Sequence, residues 1–161
     1  MRKIRLTQDK QALVDDEDYE RVNQYKWHYT NRGYAMNRGR RVNGKQTNSI
    51  YMHRLIMNPP NTLYVDHKNG DKLDNRKKNL RICTASQNQA NRVLGKNSTN
   101  GYKGVYKVNR DTNIIHPWRA AIKQNNRWIW LGNYSTVKQA ALAYNKAAKK
   151  YKGSFALLND I

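Results

Sequence analysis

Residues 65–91 read VDHKNGDKLDNRKKNLRICTASQNQAN, a stretch in which Asp, His and Asn are concentrated and few apolar side chains are available for a core. LYVDH at 63–67 predicts a short strand, and the Asn-, Gly- and Asp-rich segment after it predicts a loop. QNQANRVL at 87–94 predicts a helix that Thr84 or Ser86 would cap. The stretch is therefore expected to form a strand–loop–helix unit that presents polar side chains.

The polar side chains of this unit have the spacing of a metal and proton-transfer site. Asp66 and His67 are neighbours at the end of the strand, so their side chains point to opposite sides. Asn79 lies 12 residues beyond His67, and Asn88 lies 21 beyond it on the predicted helix. The oxygens of Asp66 and Asn88 suit one Mg²⁺ or Mn²⁺ ion, and a histidine titrates near neutral pH, as a general base does. The spacing alone leaves a plain turn-rich loop open, because Asn, Asp and Gly are the usual turn residues.

The chain is strongly basic along its whole length. Its 161 residues include 31 Lys and Arg against 11 Asp and Glu, a formal net charge of +20. Residues 81–161 carry a net charge of +12 (14 basic against 2 acidic side chains), and residues 1–80 carry +8 (17 against 9). Cations near phosphates release condensed counterions, so nucleic acid is the expected partner.

Composition argues against membrane and disulfide-stabilised classes. No apolar run approaches the roughly 18–20 residues of a spanning helix, and the first ten residues, MRKIRLTQDK, lack the apolar region of a signal peptide. The lone Cys83 excludes an intramolecular disulfide and a zinc site built from cysteine pairs. A reducing, cytoplasmic compartment is therefore expected.

The first 62 residues alternate turn signals with short aromatic-rich runs. DDEDYERVNQY at 15–25 predicts one or two helical turns capped by their own Asp side chains. The next three predicted elements are strands: YKWHY at 25–29, GYAMN at 33–37 and SIYMHRLIM at 49–57. VNGK at 42–45 is predicted to form a hairpin turn, and NPPNT at 58–62 a break after the third strand. Basic side chains near the hairpin turn would either reach into a DNA groove or remain solvated: Arg38, Arg40, Arg41 and Lys45.

After a polar connector at 92–101 the pattern changes to three strands, GVYKVN, PWRAAIKQ and RWIWLGNY, and a helix, STVKQAALAYNKAAKKYKG. Alternation places Arg119 and Lys123 on one sheet face, where Trp128 and Trp130 can join them. If the helix covers the other face, this one suits DNA, because Arg and Lys bind phosphates and base edges and indole packs on thymine methyls. The alternative is that both tryptophans are core residues and the basic side chains are simply solvated.

Four segments resemble HNH endonucleases of the phage and intron-encoded type: LVDDEDYERVNQYKW (13–27), MHRLIM (52–57), VDHKNGDKLDNRKKNLR (65–81) and SQNQANR (86–92). The resemblance implies a ββα-metal active site. Within it, His67 would be the general base and Asp66 and Asn88 the ligands of one divalent ion, Mg²⁺ or Mn²⁺. Asn79 would shape the loop and orient the base.

The same resemblance implies supporting roles around that site. His53 matches a recurring position near it, for which a supporting and a purely structural role are both open. Asn75 and Arg76 match the family's loop and would hold it or contact phosphate. Separately from the resemblance, Lys77, Lys78 and Arg81 would form a solvated basic run or, beside a phosphodiester site, contact the phosphate backbone, which is the favoured interpretation.

A second resemblance covers residues 102–161. YKGV (102–105), WRAAI (118–122), WLGNY (130–134), AALAYNKAA (140–148) and LLN (157–159) are similar to the plant ethylene-response-factor (Apetala-type) DNA-binding domain. Members of that family lay a three-stranded sheet in the major groove, which implies DNA contacts from six residues: Lys103, Tyr106, Arg119, Lys123, Trp128 and Trp130. Tyr106 and Trp128 stand where plant members usually carry arginine, and the insert NRDTNIIHP lengthens the first hairpin. The plant sequence preference is therefore not transferred.

Together these features predict an α+β chain with four parts: a β-rich N-terminal extension (1–50), a ββα-metal HNH nuclease core (51–94), a linker (95–101), and a three-stranded antiparallel sheet packed on one helix (102–161). The expected function is metal-dependent hydrolysis of double-stranded DNA in a bacterial or phage-infected cell, leaving 5′-phosphate and 3′-hydroxyl ends. One site per chain predicts a nick by a monomer, and a double-strand cut would need a dimer or a second binding event. No membrane or protein partner is expected. Two alternatives stay open: a non-catalytic, sequence-specific DNA-binding regulator, and an RNA-binding accessory protein whose aromatic side chains stack on bases.

Overall fold

A computed structural model describes residues 1–39, 41–42, 45–92, 100–108 and 115–161, with the backbone alone at 41–42 and 45–46. The chain forms two compact units, Met1–Asn88 and Gln89–Ile161. It is a mixed α/β structure of small antiparallel sheets. No helix in the described part of the chain is long and apolar enough to cross a membrane.

Parts of three predicted features lie outside the described residues: the connector and linker at 92–101, the turn of VNGK together with Arg40, and the insert NRDTNIIHP. The division at Asn88 is coarser than the predicted domain boundaries. The finer boundaries at 50, 94 and 101 stay predictions.

The elements up to residue 90 are short: β1 Arg2–Arg5, β2 Gln11–Val14, α1 Asp16–Asn23, β3 His28–Tyr29, β4 Ala35–Asn37, β5 Arg41–Val42, β6 Lys45–Gln46, β7 Ile50–Tyr51, α2 Met52–Met57, β8 Tyr64–His67, β9 Leu80–Cys83 and α3 Ala85–Ala90. The strands among them form four antiparallel sheets, β1–β2, β3–β4–β7, β5–β6 and β8–β9. Their buried apolar side chains form one core: Ile4, Leu6, Ala12, Val14, Val22, Trp27, Ala35, Met52, Ile56, Val65 and Leu80. Strand ends and loop residues around this core carry the polar side chains.

The predicted third strand, SIYMHRLIM, is wrong beyond Tyr51. Residues Met52–Met57 form helix α2, which ends at Asn58 in the left-handed conformation (φ 41°) just before the two prolines. The physical reason is the spacing of Met52, Leu55 and Ile56, which are one face of a helical turn (i, i+3, i+4) and pack into the core.

Helix α1 confirms the predicted helical turns, but its Asp residues do not cap it. Asp15 stands at the N-cap position without a side-chain cap bond, because its Oδ2 accepts the backbone N–H of Lys77 at 2.7 Å. The Asp15 side chain therefore binds the distant backbone of Lys77 and not an N–H group of its own helix.

The strand–loop–helix unit contains a second strand that the sequence pattern did not indicate. LRIC pairs antiparallel with YVDH, which gives the order strand, loop, strand, helix. Thr84 caps α3, since Thr84 Oγ1 accepts from Gln87 N at 3.3 Å and Gln87 Oε1 accepts from Thr84 N at 2.8 Å. The helix ends at Ala90, so the prediction through residue 94 was too long within the described chain.

The second unit contains β10 Val105–Lys107, β11 Trp118–Gln124, β12 Arg127–Tyr134 and α4 Val137–Lys152, as the sequence predicts. The strands form one antiparallel sheet, β10–β11–β12. Asn125 and Asn126, both at positive φ, make the two-residue turn. Thr136 and Gln139 form a capping box at the start of α4.

Helix α4 packs its alanines against the sheet. The buried side chains of the unit are Val105, Ala120, Ile122, Ala140, Ala141, Tyr144, Ala147 and Ala148. Small side chains let the backbones approach closely, and Gly104 shows how closely: a Cβ built there would lie 2.1 Å from the Tyr144 ring. The glycine of YKGV is therefore required both by this approach and by its φ of +71°.

Candidate active site

Asp66 and His67 are the last two residues of β8 and lie opposite Arg81 and Leu80 of β9. Both polar side chains are buried, with 6% and 4% exposure. Burying an ionisable group is costly unless it is neutral or paired. The surroundings of each residue meet that condition in a different way.

Asp66 is paired with Arg81. Arg81 donates from Nε and Nη2 to Asp66 Oδ2, at 2.8 and 2.6 Å. Both side chains are at least 86% buried, so the pair is shielded from solvent. Arg81, predicted to contact phosphate, is thus placed directly on the carboxylate that was predicted to bind metal.

His67 lies in a polar and aromatic pocket. Its Nε2 is 3.3 Å from Asn75 Oδ1. The His53 ring meets it edge-on at 5.2 Å between centroids, and the Tyr34 ring lies at 6.0 Å. Burial lowers the pKa of His67, although Asn75 and nearby carboxylates oppose the shift. The structure therefore favours a neutral imidazole, the form that accepts a proton.

His53 is nearly enclosed by rings. It stacks on Tyr51 at 5.5 Å and lies 5.3 Å from Tyr34. Burial and the adjacent His67 lower the pKa of His53 to about 3, so it stays neutral through the physiological range. Sequence reasoning placed His53 near the site but missed both tyrosines, because no motif spacing links Tyr34, just before β4, or Tyr51 of β7 to β8.

Hydrogen bonds of Asn79 and Arg76 hold the loop from 68 to 79. Asn79 Nδ2 donates to Asp74 O at 2.8 Å, and Asn79 Oδ1 accepts from Asn69 N at 3.0 Å. Arg76 donates from Nε and Nη2 to the two oxygens of Asp74, at 2.6 and 2.7 Å. This bidentate pair lowers the pKa of Asp74. Asn79 thus makes hydrogen bonds within the loop, and Asn75 meets His67 directly.

The N-terminal segment fastens the same loop from outside. Leu13 N donates to Leu73 O, and Asn75 N donates to Leu13 O, each at 2.8 Å. Lys77 Nζ contacts Glu17 at 2.5 Å and Asp18 at 3.2 Å, which raises the pKa of Lys77. These contacts join residues about sixty positions apart, so no local signal in the sequence predicts them.

Asn88, the second predicted metal ligand, lies half-buried on α3 with its backbone N–H bonded to Thr84 O. Within the described residues, no hydrogen bond joins its side chain to Asp66 or His67. Hydrogen bonds, an ion pair and ring contacts thus join Asp66 to Arg81 and His67 to Asn75 and His53, and the role of Asn88, on helix α3, stays a prediction.

In the second unit, five predicted DNA-contacting residues share one sheet face. Cross-strand pairs align Tyr106 with Arg119, Lys123 with Trp128, and Ala121 with Trp130. Trp128 and Trp130 are 63% and 64% exposed, so they are not core residues. The Tyr106 and Trp128 rings meet edge-on at 6.4 Å. We call Tyr106, Arg119, Lys123, Trp128 and Trp130 the exposed sheet face.

Lys103 is not part of this exposed sheet face. Its Nζ donates to Ala90 O at 2.5 Å and to Arg92 O at 2.8 Å. Burial lowers its pKa to about 8, with Lys152 adding to the effect. Its ammonium group is thus engaged by backbone carbonyls.

Comparisons with known proteins agree with this geometry. The HNH endonuclease family model matches residues 51–90, which contain α2, β8, the loop, β9 and α3. An uncharacterized HNH endonuclease of Acanthamoeba polyphaga mimivirus is 31% identical over 152 residues, which cover 93% of this chain and 75% of that protein. This chain belongs to the HNH endonuclease family. As an HNH endonuclease it is a nuclease, a hydrolase that cleaves phosphodiester bonds.

Two plant proteins share a shorter similarity with this HNH endonuclease. Ethylene-responsive transcription factor 1 of Solanum lycopersicum is 50% identical over 36 residues, 22% of this chain and 15% of that protein. Dehydration-responsive element-binding protein 2D of Arabidopsis thaliana is 48% identical over 44 residues, 26% of this chain and 21% of that protein. The matches are partial and hint at a DNA-binding segment. No solved structure matches the chain.

Proposed function

We propose that this HNH endonuclease is a divalent-metal-dependent enzyme that nicks duplex DNA, with His67 as general base in a ββα-metal site. The observation that carries the proposal is the buried Asp66–His67 pair at the end of β8, in which burial favours a neutral imidazole and Arg81 pairs with the carboxylate. A neutral imidazole can take a proton from water, and a carboxylate beside it can hold a divalent ion that neutralises charge on the phosphate.

In the proposed reaction, His67 takes a proton from a water molecule as the water oxygen attacks phosphorus in line. The bond between phosphorus and the 3′ oxygen breaks, and that oxygen gains a proton from solvent. The products carry 5′-phosphate and 3′-hydroxyl ends. The described residues contain one such site, so a monomer would cut one strand.

The metal would be held by oxygen atoms of Asp66 and Asn88. No cluster of three or more His, Cys, Asp or Glu residues in the described chain could hold an ion alone. Two protein oxygens suit Mg²⁺ or Mn²⁺, which keep several waters and take further ligands from phosphate. Arg81 meets Asp66 through Oδ2, and a carboxylate offers about four lone-pair sites, so an arginine and a cation can share it. When bound, the ion would supply positive charge to the transition state and the leaving oxygen.

The exposed sheet face would place the enzyme on duplex DNA. Its two positive side chains meet phosphates or guanine edges, while its three aromatic rings pack on sugars and thymine methyls. A net charge of +20 supports attraction to a polyanion. Exposed rings also suit single-stranded bases, so competition between duplex DNA and single-stranded RNA for labelled duplex separates the DNA-binding proposal from an RNA-binding one.

The deciding experiment is incubation of supercoiled plasmid, and of genomic DNA from the region that flanks the gene, with Mg²⁺, Mn²⁺ or EDTA. Wild type should convert plasmid to open circles with metal and not with EDTA. His67→Ala should lose this activity, and His116→Ala, which removes an exposed histidine of the second unit, should retain it. If wild type shifts duplex DNA in a gel yet cuts neither substrate, the binding-regulator alternative replaces the nuclease proposal.

A further inference from the structure

The lysines of helix α4 are concentrated on the side of the helix that points away from the sheet. Five side chains are buried, between about 180° and 300° around the helix axis if Lys138 is set at zero and each residue turns by about 100°: Ala140, Ala141, Tyr144, Ala147 and Ala148. Four exposed lysines fall between about 0° and 120°, an arc centred opposite the buried one: Lys138, Lys146, Lys149 and Lys150. We call these four residues the lysine stripe.

No acidic side chain pairs with the lysine stripe in the described part of the chain. The ion pairs between described residues all lie within residues 1–81, and helix α4 itself contains no acidic residue. Lys150 Nζ lies 5.4 Å from the centroid of the neighbouring Tyr151 ring, which carries no charge. Leu142, in the middle of the stripe, is 57% exposed, so this side of α4 is open to solvent.

The lysine stripe is unfavourable for the helix itself, which argues against a purely structural role. Lys138 stands in the first turn, where the helix dipole disfavours a cation. Lys146 forms like-charge pairs with Lys149 at i+3 and Lys150 at i+4, and such pairs repel on a helix surface. Within the stripe, the dipole favours only the two lysines of the last turn. A bound polyanion would neutralise all four cations and remove their repulsion.

We infer that the lysine stripe is a second surface for duplex DNA, which binds the phosphate backbone of a segment other than the one on the exposed sheet face. From Lys138 to Lys150 the helix axis rises by about 18 Å. Over that length a duplex carries about ten phosphate charges. Lysine is a point charge on a flexible stem, so it suits contacts with phosphate that do not depend on sequence.

The two surfaces lie on opposite sides of the second unit. Helix α4 packs its buried side chains against one face of the sheet, and the exposed sheet face is the other. One straight duplex therefore cannot reach both surfaces. The second unit bridges two duplex segments, one on the exposed sheet face and one on the lysine stripe. This role rests on the proposed contact between the exposed sheet face and DNA and adds a second partner to it.

The test is capture of a second duplex by protein that is bound to a first. The full chain is loaded on a biotinylated duplex on beads, with EDTA present so that nothing is cut, and a fluorescent duplex is then added. We expect wild type to retain the fluorescent duplex at low salt. Four phosphate contacts give a slope of about −3.6 in log affinity against log salt, so each doubling of salt should lower the affinity for the second duplex about tenfold.

Two variants of the lysine stripe separate its charge from its effect on folding. The glutamine variant combines Lys138→Gln, Lys146→Gln, Lys149→Gln and Lys150→Gln, all at exposed positions. It should still bind the bead duplex through the exposed sheet face, while capture of the second duplex falls at least about tenfold. A variant with arginine at the same four positions keeps the charge and should capture the second duplex as wild type does.

A charge-matched control removes four cations from the first unit. It combines substitutions of exposed residues: Lys3→Gln, Arg5→Gln, Lys10→Gln and Lys26→Gln. It has the same net charge as the glutamine variant and should capture the second duplex as wild type does. Equal capture by wild type and the glutamine variant, or equal losses in the glutamine variant and this control, would overturn the inference.

Failure of the second surface and failure of the proposed function give different results. Nicking by a protein that binds the bead duplex but captures no second duplex would overturn the inference and support the nuclease. Capture by a protein that cuts no DNA would support the second surface and contradict the nuclease. If wild type binds no duplex at all, the proposed sheet-face contact and the inference both fail.

An anionic membrane is the other partner that a basic helix face attracts. It fits this face less well, because Leu142 is its one large apolar side chain in the described helix. Vesicles of phosphatidylcholine and phosphatidylserine test it. If they bind wild type but not the glutamine variant, while both proteins capture the second duplex equally, the lysine stripe is a membrane surface and the inference is overturned.

Discussion

The two units of this HNH endonuclease hold their functional side chains in opposite ways. In the first, Asp66 and His67 are buried and are fixed by Arg81, Asn75 and a loop that is fastened by contacts from the N-terminal segment. In the second, the exposed sheet face presents its residues to solvent, placed by the pairing of three antiparallel strands.

The difference reflects what each chemistry needs. Proton transfer requires a base in one orientation and one protonation state, which only a surrounding network of fixed partners provides. Binding to a polyanion requires positive charge and a flat surface that the partner can reach. The first arrangement should therefore be sensitive to the loss of any one contact, and the second tolerant.

The largest effect on the free energy of unfolding is expected at Gly104 of the second unit, which lies close to the ring of Tyr144. Gly104→Ala would bring a Cβ to 2.1 Å from the ring and 2.7 Å from Ala121 O at positive φ. Clash and backbone strain together should lower the free energy of unfolding by about 4 kcal/mol. Urea denaturation followed by the tryptophan fluorescence of the second unit measures it.

Gly101 provides the matched control for that substitution. It has the same φ of +71°, and nothing lies within 4 Å of its built Cβ. Gly101→Ala should therefore show the backbone strain alone, about 1 kcal/mol. Equal losses in the two variants would mean that close packing of α4 on the sheet does not restrict residue 104.

The next effect tests the buried ion pair. Arg81→Met removes the ion-pair partner of buried Asp66 and should destabilise the chain by about 3 kcal/mol. Arg119→Met, on the exposed sheet face, should change the free energy of unfolding by less than about 0.5 kcal/mol. If denaturant unfolding shows similar changes in the free energy of unfolding for Arg81→Met and Arg119→Met, the first unit does not depend more strongly on single contacts than the second.

Local signals predicted the second unit well and the first only in part. Alternation placed Arg119, Lys123 and both tryptophans on one face, because strand alternation depends on near neighbours. The residue types of the first site were equally visible in VDH and DNR. The sequence did not show strand β9, helix α2 or the link from Leu13 through Asn75 to His67. Packing and contacts between distant segments determine these features.

Acid should destabilise the first unit through His53. Its pKa is about 3 in the folded protein against an ordinary value near 6.5, so between these pH values the unfolded chain binds a proton that the folded chain does not. Stability therefore falls as pH decreases, by about 1.4 kcal/mol per unit below pH 6. The lowered pKa of His67 acts in the same direction.

In His53→Gln, the free energy of unfolding should depend less on pH than in wild type, as measured by urea denaturation between pH 6 and pH 4.5. This window lies above the ordinary pKa range of Asp74. His116→Gln removes an exposed histidine as the control and should leave the slope as in wild type. A wild-type slope in His53→Gln would show that the enclosure of His53 by Tyr51 and Tyr34 does not govern the acid response.

The smallest free-energy effect is expected at Trp128, and it concerns binding more than folding. The side chain is 63% exposed and touches Tyr106 edge-on, so Trp128→Ala should change the free energy of unfolding by less than about 0.5 kcal/mol. Its affinity for duplex DNA in a fluorescence anisotropy titration should fall about fivefold, or about 1 kcal/mol. Leu142→Ala removes a side chain of similar exposure (57%) from α4 and should leave affinity unchanged. If Trp128→Ala unfolds the unit, or if both variants bind equally well, the exposed sheet face is not the surface on which this enzyme meets DNA.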